Sequence, residues 1–86
     1  MYLSKNLRYL REKNGKISQQ KLANDLDTTR SAISSYEDGR AEPKIEVLIK
    51  IAKYFKVSID LLVNQDISKI DRIELEHDSN LEMYAK

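Results

Sequence analysis

The sequence predicts an all-α fold, and three observations carry that prediction. Apolar residues recur at spacings of three and four, as on one face of a helix, in five separate stretches before residue 65. Most of these stretches open on a Ser, Thr or Pro start signal, and several close on Gly or Asn. Nothing in that region alternates apolar and polar residues as a half-buried strand does.

The first helix is predicted from about Ser4 to Lys13, with Leu3, Leu7 and Leu10 at helical spacing. Asn14-Gly15 ends it, because Gly accepts the positive φ of a C-terminal cap. Ser18 can cap a second helix, Gln19 to Leu26, whose inward residues are Leu22, Ala23 and Leu26. Asp27-Thr28 makes a tight turn, and Thr29 caps a third helix that runs through Asp38 and stops at Gly39. Pro43 marks entry to a fourth helix, about Lys44 to Phe55, with the apolar arc Ile45, Leu48, Ile51, Ala52 and Phe55. Ser58 caps a fifth, with Asp60 in its first turn where the helix dipole favours an anion, and with Ile59 and Leu62 facing inward.

The pattern weakens after Asn64. Ile67, Ile70 and Ile73 are three apart, but Ile73-Glu74-Leu75-Glu76 alternates like a strand, and Asp78-Ser79-Asn80 breaks any pattern. Residues 1–64 therefore read as one domain and 65–86 as an acidic linker or tail whose start is compatible with a helix.

Charge follows the same division. Through Asn64 there are twelve Lys/Arg and eight Asp/Glu, a net of +4, while 65–86 carries three and six, a net of −3. A cationic body with an acidic tail fits a polyanionic partner for the body. The chain has no Cys and a single His, His77, so a disulfide framework, a thiolate site and a multi-histidine metal site are all excluded. A nucleophile–base–orienter set cannot be assembled, and there is no Gly-rich phosphate loop. Neither an enzyme nor a cofactor or metal site is expected. No apolar run is long enough for a signal peptide or membrane span, so a cytoplasmic protein is expected. The tyrosines Tyr2, Tyr9, Tyr54 and Tyr84 read as core or boundary packing, and His77 as a solvated surface residue. The lysines Lys50, Lys53 and Lys56 lie on a helix whose other face the core needs, which argues against a membrane-surface helix.

The stretch from Gln19 to Asp38 carries the functional information. Two helices joined by so short a turn must cross steeply, which needs a small residue at the contact, supplied by Ala23. At about 100° per residue, Ala32, Ile33 and Tyr36 share the inner side of the third helix, while Arg30, Ser31, Ser34, Ser35 and Asp38 share a polar outer arc. Short serines let a helix backbone sit deep in a groove. Arg offers two donors to guanine, and Ser can donate to or accept from base edges. The same arc also fits an ordinary solvated face.

Gln19-Gln20-Lys21-Leu22-Ala23, Thr28 through Arg40, and Glu42-Pro43 together resemble the Cro/phage-repressor, or Xre-like, helix-turn-helix family. The resemblance continues to about Val63. It is specific because its features agree in order: Ser-Gln at the second helix, Leu-Ala within it, aromatic-Glu-x-Gly after the third, and Pro before the fourth. It implies a compact five-helix, lambda-repressor-like DNA-binding domain, acting in a transcriptional regulator, a repressor by preference, with the third helix in the major groove. Carried over residue by residue, the resemblance implies base contacts by Thr29, Arg30, Ser31, Ser34 and Ser35. It further implies phosphate contacts by Gln19, Arg40 and Lys44, and an internal ion pair between Arg11 and Glu37. This sequence departs from the family at Asp27, where Gly is usual, and at Lys16, which lengthens the loop before Ser18.

The implied partner is double-stranded DNA with a palindromic operator, bound by a homodimer. The alternative is an antitoxin or other protein-interaction module built on the same fold. The abrupt change after Asn64 leads to the expectation that these 86 residues are the amino-terminal part of a longer regulator whose remainder supplies the dimer contact. The rival expectation is a small protein that pairs through its fifth helix, with Ile67 and Ile70 extending the patch.

Overall fold

The computed structural model describes residues 1–70. His77, Tyr84 and the acidic stretch from residue 71 onward lie outside the described residues. Five α-helices follow in order: α1 (Leu3–Lys13), α2 (Gln19–Asp25), α3 (Arg30–Glu37), α4 (Ile45–Phe55) and α5 (Ile59–Asn64). A further helical turn covers 67–70, and there is no strand among the described residues.

Local chemistry sets the helix starts. The hydroxyls of Ser18, Thr29 and Ser58 accept from the backbone N–H groups of Lys21, Ala32 and Leu61 at 3.0, 3.1 and 3.0 Å. In each case the capping residue itself is extended and its side chain satisfies one orphan donor of the first turn. Helix ends rely on left-handed residues. Gly15 and Lys16 take φ of +90° and +55° after α1, and Asp27 takes +57° in the turn between α2 and α3. Asp tolerates that region better than most side chains, which is how the usual glycine is dispensed with. Lys56 ends α4 at φ +58°, and the Val57 N–H reaches back to the Ala52 carbonyl at 3.0 Å.

Leu3, Leu7 and Leu10 of α1 meet Leu22, Ala23 and Leu26 of the α2 region, Ile33 of α3, Ile51, Ala52 and Phe55 of α4, and Leu62 of α5 in one core. Ala23 is fully buried, as a close α2–α3 crossing needs. Each fully buried Leu or Ile here contributes ~1.5–3 kcal/mol by leaving water. Tyr54 straps α4 to α2 by donating its hydroxyl to the Asp25 carboxylate at 2.6 Å.

Two expectations change. Ile45, expected on the inner arc of α4, is 57% exposed, and its neighbour one turn on, Ile49, is 38% exposed. The inner arc of α4 centres on Leu48, Ile51 and Phe55, and at 100° per residue Ile45 lies about a quarter-turn away from that centre. Packing also continues past Asn64. Ile67 is 3% exposed and belongs to the core, so it cannot extend an exposed patch on α5.

Asn6 explains why the chain folds back there. Its side chain is fully buried, donates to the carbonyls of Leu62 and Gln65 at 2.7 and 2.6 Å, and accepts from the Ile67 N–H at 3.0 Å. These three bonds satisfy backbone groups that the end of α5 would otherwise leave unpaired. Alongside, Lys5 pairs with the Asp66 carboxylate at 2.7 Å, and the Ser68 hydroxyl donates to the other oxygen at 2.6 Å.

Candidate nucleic-acid interface

The outer face of α3 is built from short side chains around one long one. Arg30 and Ser31 are exposed, Ser34 and Ser35 are half-buried, and Asp38 is exposed at the C-terminal end. Ile33 and Glu37 are buried and hold α3 to the body, with Glu37 flanking the polar arc on the Arg30 side. Thr29 stands at the entrance with its Oγ1 committed as acceptor to Ala32, which leaves its hydroxyl hydrogen as a donor. After α3 the chain turns at Gly39, φ +74°, and the N–H groups of Arg40 and Ala41 fold back onto the Ser35 carbonyl at 2.9 and 3.3 Å. A Cβ at Gly39 would have room, with its nearest neighbour the Ser4 Oγ at 4.0 Å, so the backbone angle is what calls for glycine.

Beneath this face lies a carboxylate network. The Glu37 side chain has no solvent exposure. Its Oε2 accepts from Arg11 Nε at 2.7 Å, and its Oε1 from Arg11 Nη2 at 3.0 Å and from the Gln19 amide at 3.1 Å. Arg8 Nε approaches the same oxygen at 3.5 Å. Arg11 also donates Nη1 to the Ile17 carbonyl at 2.8 Å, which ties in the connection between α1 and α2. Burial by itself pushes the Glu37 carboxyl up, but the hydrogen bonds from Arg11 and Gln19 and the Arg11 charge outweigh it and hold it below its usual range. The hydrogen bond to Glu37 likewise raises Arg11. One buried carboxylate thus joins α1, the start of α2 and the underside of α3.

The candidate phosphate residues fall around the rim in different states. One amide hydrogen of Gln19 goes to Glu37, and since an amide carries two, this bond orients the side chain while leaving a second donor. Arg40 Nη2 is paired with Asp38 at 3.0 Å. Lys44 is exposed at the N-cap of α4, next to the exposed Ile45.

The guanidinium groups divide sharply. Arg8 and Arg40 both touch Asp38, and Arg8 and Arg11 touch Glu37. Arg30 alone among the described arginines has no hydrogen-bond or ion-pair partner among the described residues. The roles of Arg8 and Asp38 were not apparent in the sequence. The available signal was Arg8 lying one turn before Arg11 on the same face of α1.

Among the described residues no helix is long and apolar enough to cross a membrane. Nor does any cluster of three His, Cys, Asp or Glu there have the placement to hold a metal ion.

A helix-turn-helix family model matches residues 7–62. The chain is 40% identical over 65 residues to the transcriptional activator BcrR of Enterococcus faecalis, covering 76% of this chain and 31% of that protein. It is 33% identical over 55 residues to the cryptic phage CTXphi transcriptional repressor RstR of Vibrio cholerae, covering 64% of this chain and 50% of that one. It therefore spans half or less of the length of either relative. Among solved structures, the P22 c2 repressor in complex with a synthetic operator is similar at a TM-score of 0.70 and 31% identity, covering 74% of this chain and 96% of the repressor chain.

Proposed function

Because this chain belongs to the helix-turn-helix family, we propose that it binds double-stranded DNA sequence-specifically as a transcriptional regulator, with α3 in the major groove. The observation that carries the reading is the state of Arg30. It is an exposed guanidinium with no partner among the described residues, at the start of a helix face that continues through Ser31, Ser34 and Ser35 to Asp38. A free guanidinium matches the two acceptors of guanine, and the short residues let the backbone approach the base edges. The similarity to a repressor solved on its operator supports the same placement.

In this reading Thr29, Arg30, Ser31, Ser34 and Ser35 face the bases. Gln19 and Lys44 hold the flanking phosphates, Arg40 joins them only as its pair with Asp38 opens, and the backbone N–H groups at the start of α2 assist Gln19. Regulation works by occupancy of DNA in the cytoplasm rather than by catalysis, and we take repression as the outcome. Two copies on a palindromic operator would place their α3 helices about one DNA turn apart, ~34–36 Å.

The test is selection of bound sites from a random duplex pool, followed by titration of the enriched duplex at rising salt. We expect enrichment of sites with two-fold symmetry and affinity that falls linearly in log–log form with salt. Failure to enrich any sequence above the starting pool would sink the proposal.

A further inference from the structure

We propose that Asp38 is a specificity-determining residue that restrains non-specific DNA binding by holding two arginines, Arg8 and Arg40, away from phosphate. This rests on the DNA-binding reading above. Asp38 lies on the same polar arc as Arg30, Ser31, Ser34 and Ser35, at the end of α3 where the chain turns into the connection to α4. An acidic group on a surface meant for a polyanion is unfavourable there. Here it is not idle: one oxygen accepts from Arg40 Nη2 at 3.0 Å and the other from Arg8 Nη2 at 3.5 Å. All three side chains are substantially exposed, at 42% for Asp38, 66% for Arg40 and 52% for Arg8. An exposed pair of this kind contributes little to folding, so it is weak enough to be exchanged for another anion.

The physical consequence is a competition. Backbone phosphate is present on every duplex, and an arginine that meets phosphate adds affinity without adding sequence information. While Asp38 neutralises Arg40 and shares Arg8 with Glu37, the two arginines attract any duplex less strongly. The Asp38 charge also opposes the phosphate that would replace it as partner. Arg30 has no such restraint among the described residues, and its contact depends on the base it meets. The arrangement thus weakens the sequence-blind part of binding more than the sequence-reading part, and discrimination rises at the expense of total affinity.

The test uses Asp38→Asn, which keeps the shape of the side chain and removes its charge. Binding of a random-sequence duplex and of the duplex enriched by selection is measured by fluorescence anisotropy across salt concentrations. We expect the variant to bind the random duplex roughly three- to tenfold more tightly, with a salt slope steeper by about 0.9, as for one additional neutralised phosphate. Its preference for the enriched duplex should shrink. In an Arg8→Ala/Arg40→Ala background the same substitution should give little gain.

Three results would overturn the inference. An undiminished gain in the background without the two arginines would reduce Asp38 to bulk charge. A loss of affinity on both duplexes would mean that Asp38 holds Arg40 in place for phosphate instead of away from it. No change on either duplex would remove any role for the contact. If the unmodified protein binds neither duplex at the lowest salt, the DNA-binding reading itself fails, which is a different result from all three. A melting curve for Asp38→Asn that matches the parent confirms that any change is one of binding.

Discussion

Arg11 grips both oxygens of Glu37, at 2.7 and 3.0 Å, across the interface between α1 and α3. The Arg11 side chain is 14% exposed and the Glu37 side chain fully buried, so water cannot replace either partner cheaply. The pair aims the Gln19 amide as well, which makes it a support for the binding face as much as a fold contact.

Arg11→Ala leaves Glu37 buried with only Gln19 and the more distant Arg8 for company. We expect a loss of about 3 kcal/mol, the scale for breaking a buried ion pair from one side. Arg11→Ala with Glu37→Ala together should cost less than the sum of the two single changes. Thermal melts of the four proteins in the cycle measure this, and simple additivity would count against the pair.

Acid should destabilise the fold by a predictable route. The Lys5 ammonium and the Ser68 hydroxyl hold Asp66 down to about 2, and Arg11 and Gln19 hold Glu37 below its usual range against the cost of burial. A carboxyl depressed in the folded state contributes stability that is complete above its unfolded value and is lost as pH falls through the folded one. The melting temperature should therefore fall as the pH drops from about 4 toward 2. In Asp66→Asn the lower part of that decline should flatten. Superimposable acid profiles for the two proteins would be evidence against the Lys5–Asp66 contact.

Base reading and phosphate holding should separate on mutation. Arg30→Ala should cost ~1–3 kcal/mol on the enriched duplex, relax selectivity at one base position, and change random-duplex binding far less. Lys44→Ala should weaken all duplexes alike and lower the salt slope by about one unit. Equal losses for Arg30→Ala on enriched and random DNA would show that it meets only phosphate.

Lys56 occupies a left-handed conformation at the end of α4, with its N–H directed to the Lys53 carbonyl at 3.3 Å. A lysine gains nothing from φ +58°, and its Cβ strains against the neighbouring backbone. Lys56→Gly should raise stability by about 0.5–1 kcal/mol, read as a higher midpoint in urea with an unchanged slope. A lower midpoint would mean that the lysine stem packs on the body and offsets the strain.

Much of this protein was determined by sequence alone, because the relevant forces act within one turn of helix. Ser18, Thr29 and Ser58 cap the residues three positions on, Asp27 and Gly39 set their own backbone angles, and leucine spacing lays out the inner faces. The polar arc of α3 follows from the same arithmetic of 100° per residue. Tertiary structure decided what each group meets. Asn6 closes on Ile67 over 61 positions, so the packed body runs past the point where helical periodicity fades. Ile45 sits at helical spacing yet faces outward, since the axis of α4 relative to the core selects which arc is inner. Among the described residues three arginines are held by carboxylates and Arg30 is not, a distinction that no local pattern carries. A side chain's charge is written at its own position, but its partner is chosen by the packing of helices distant in sequence.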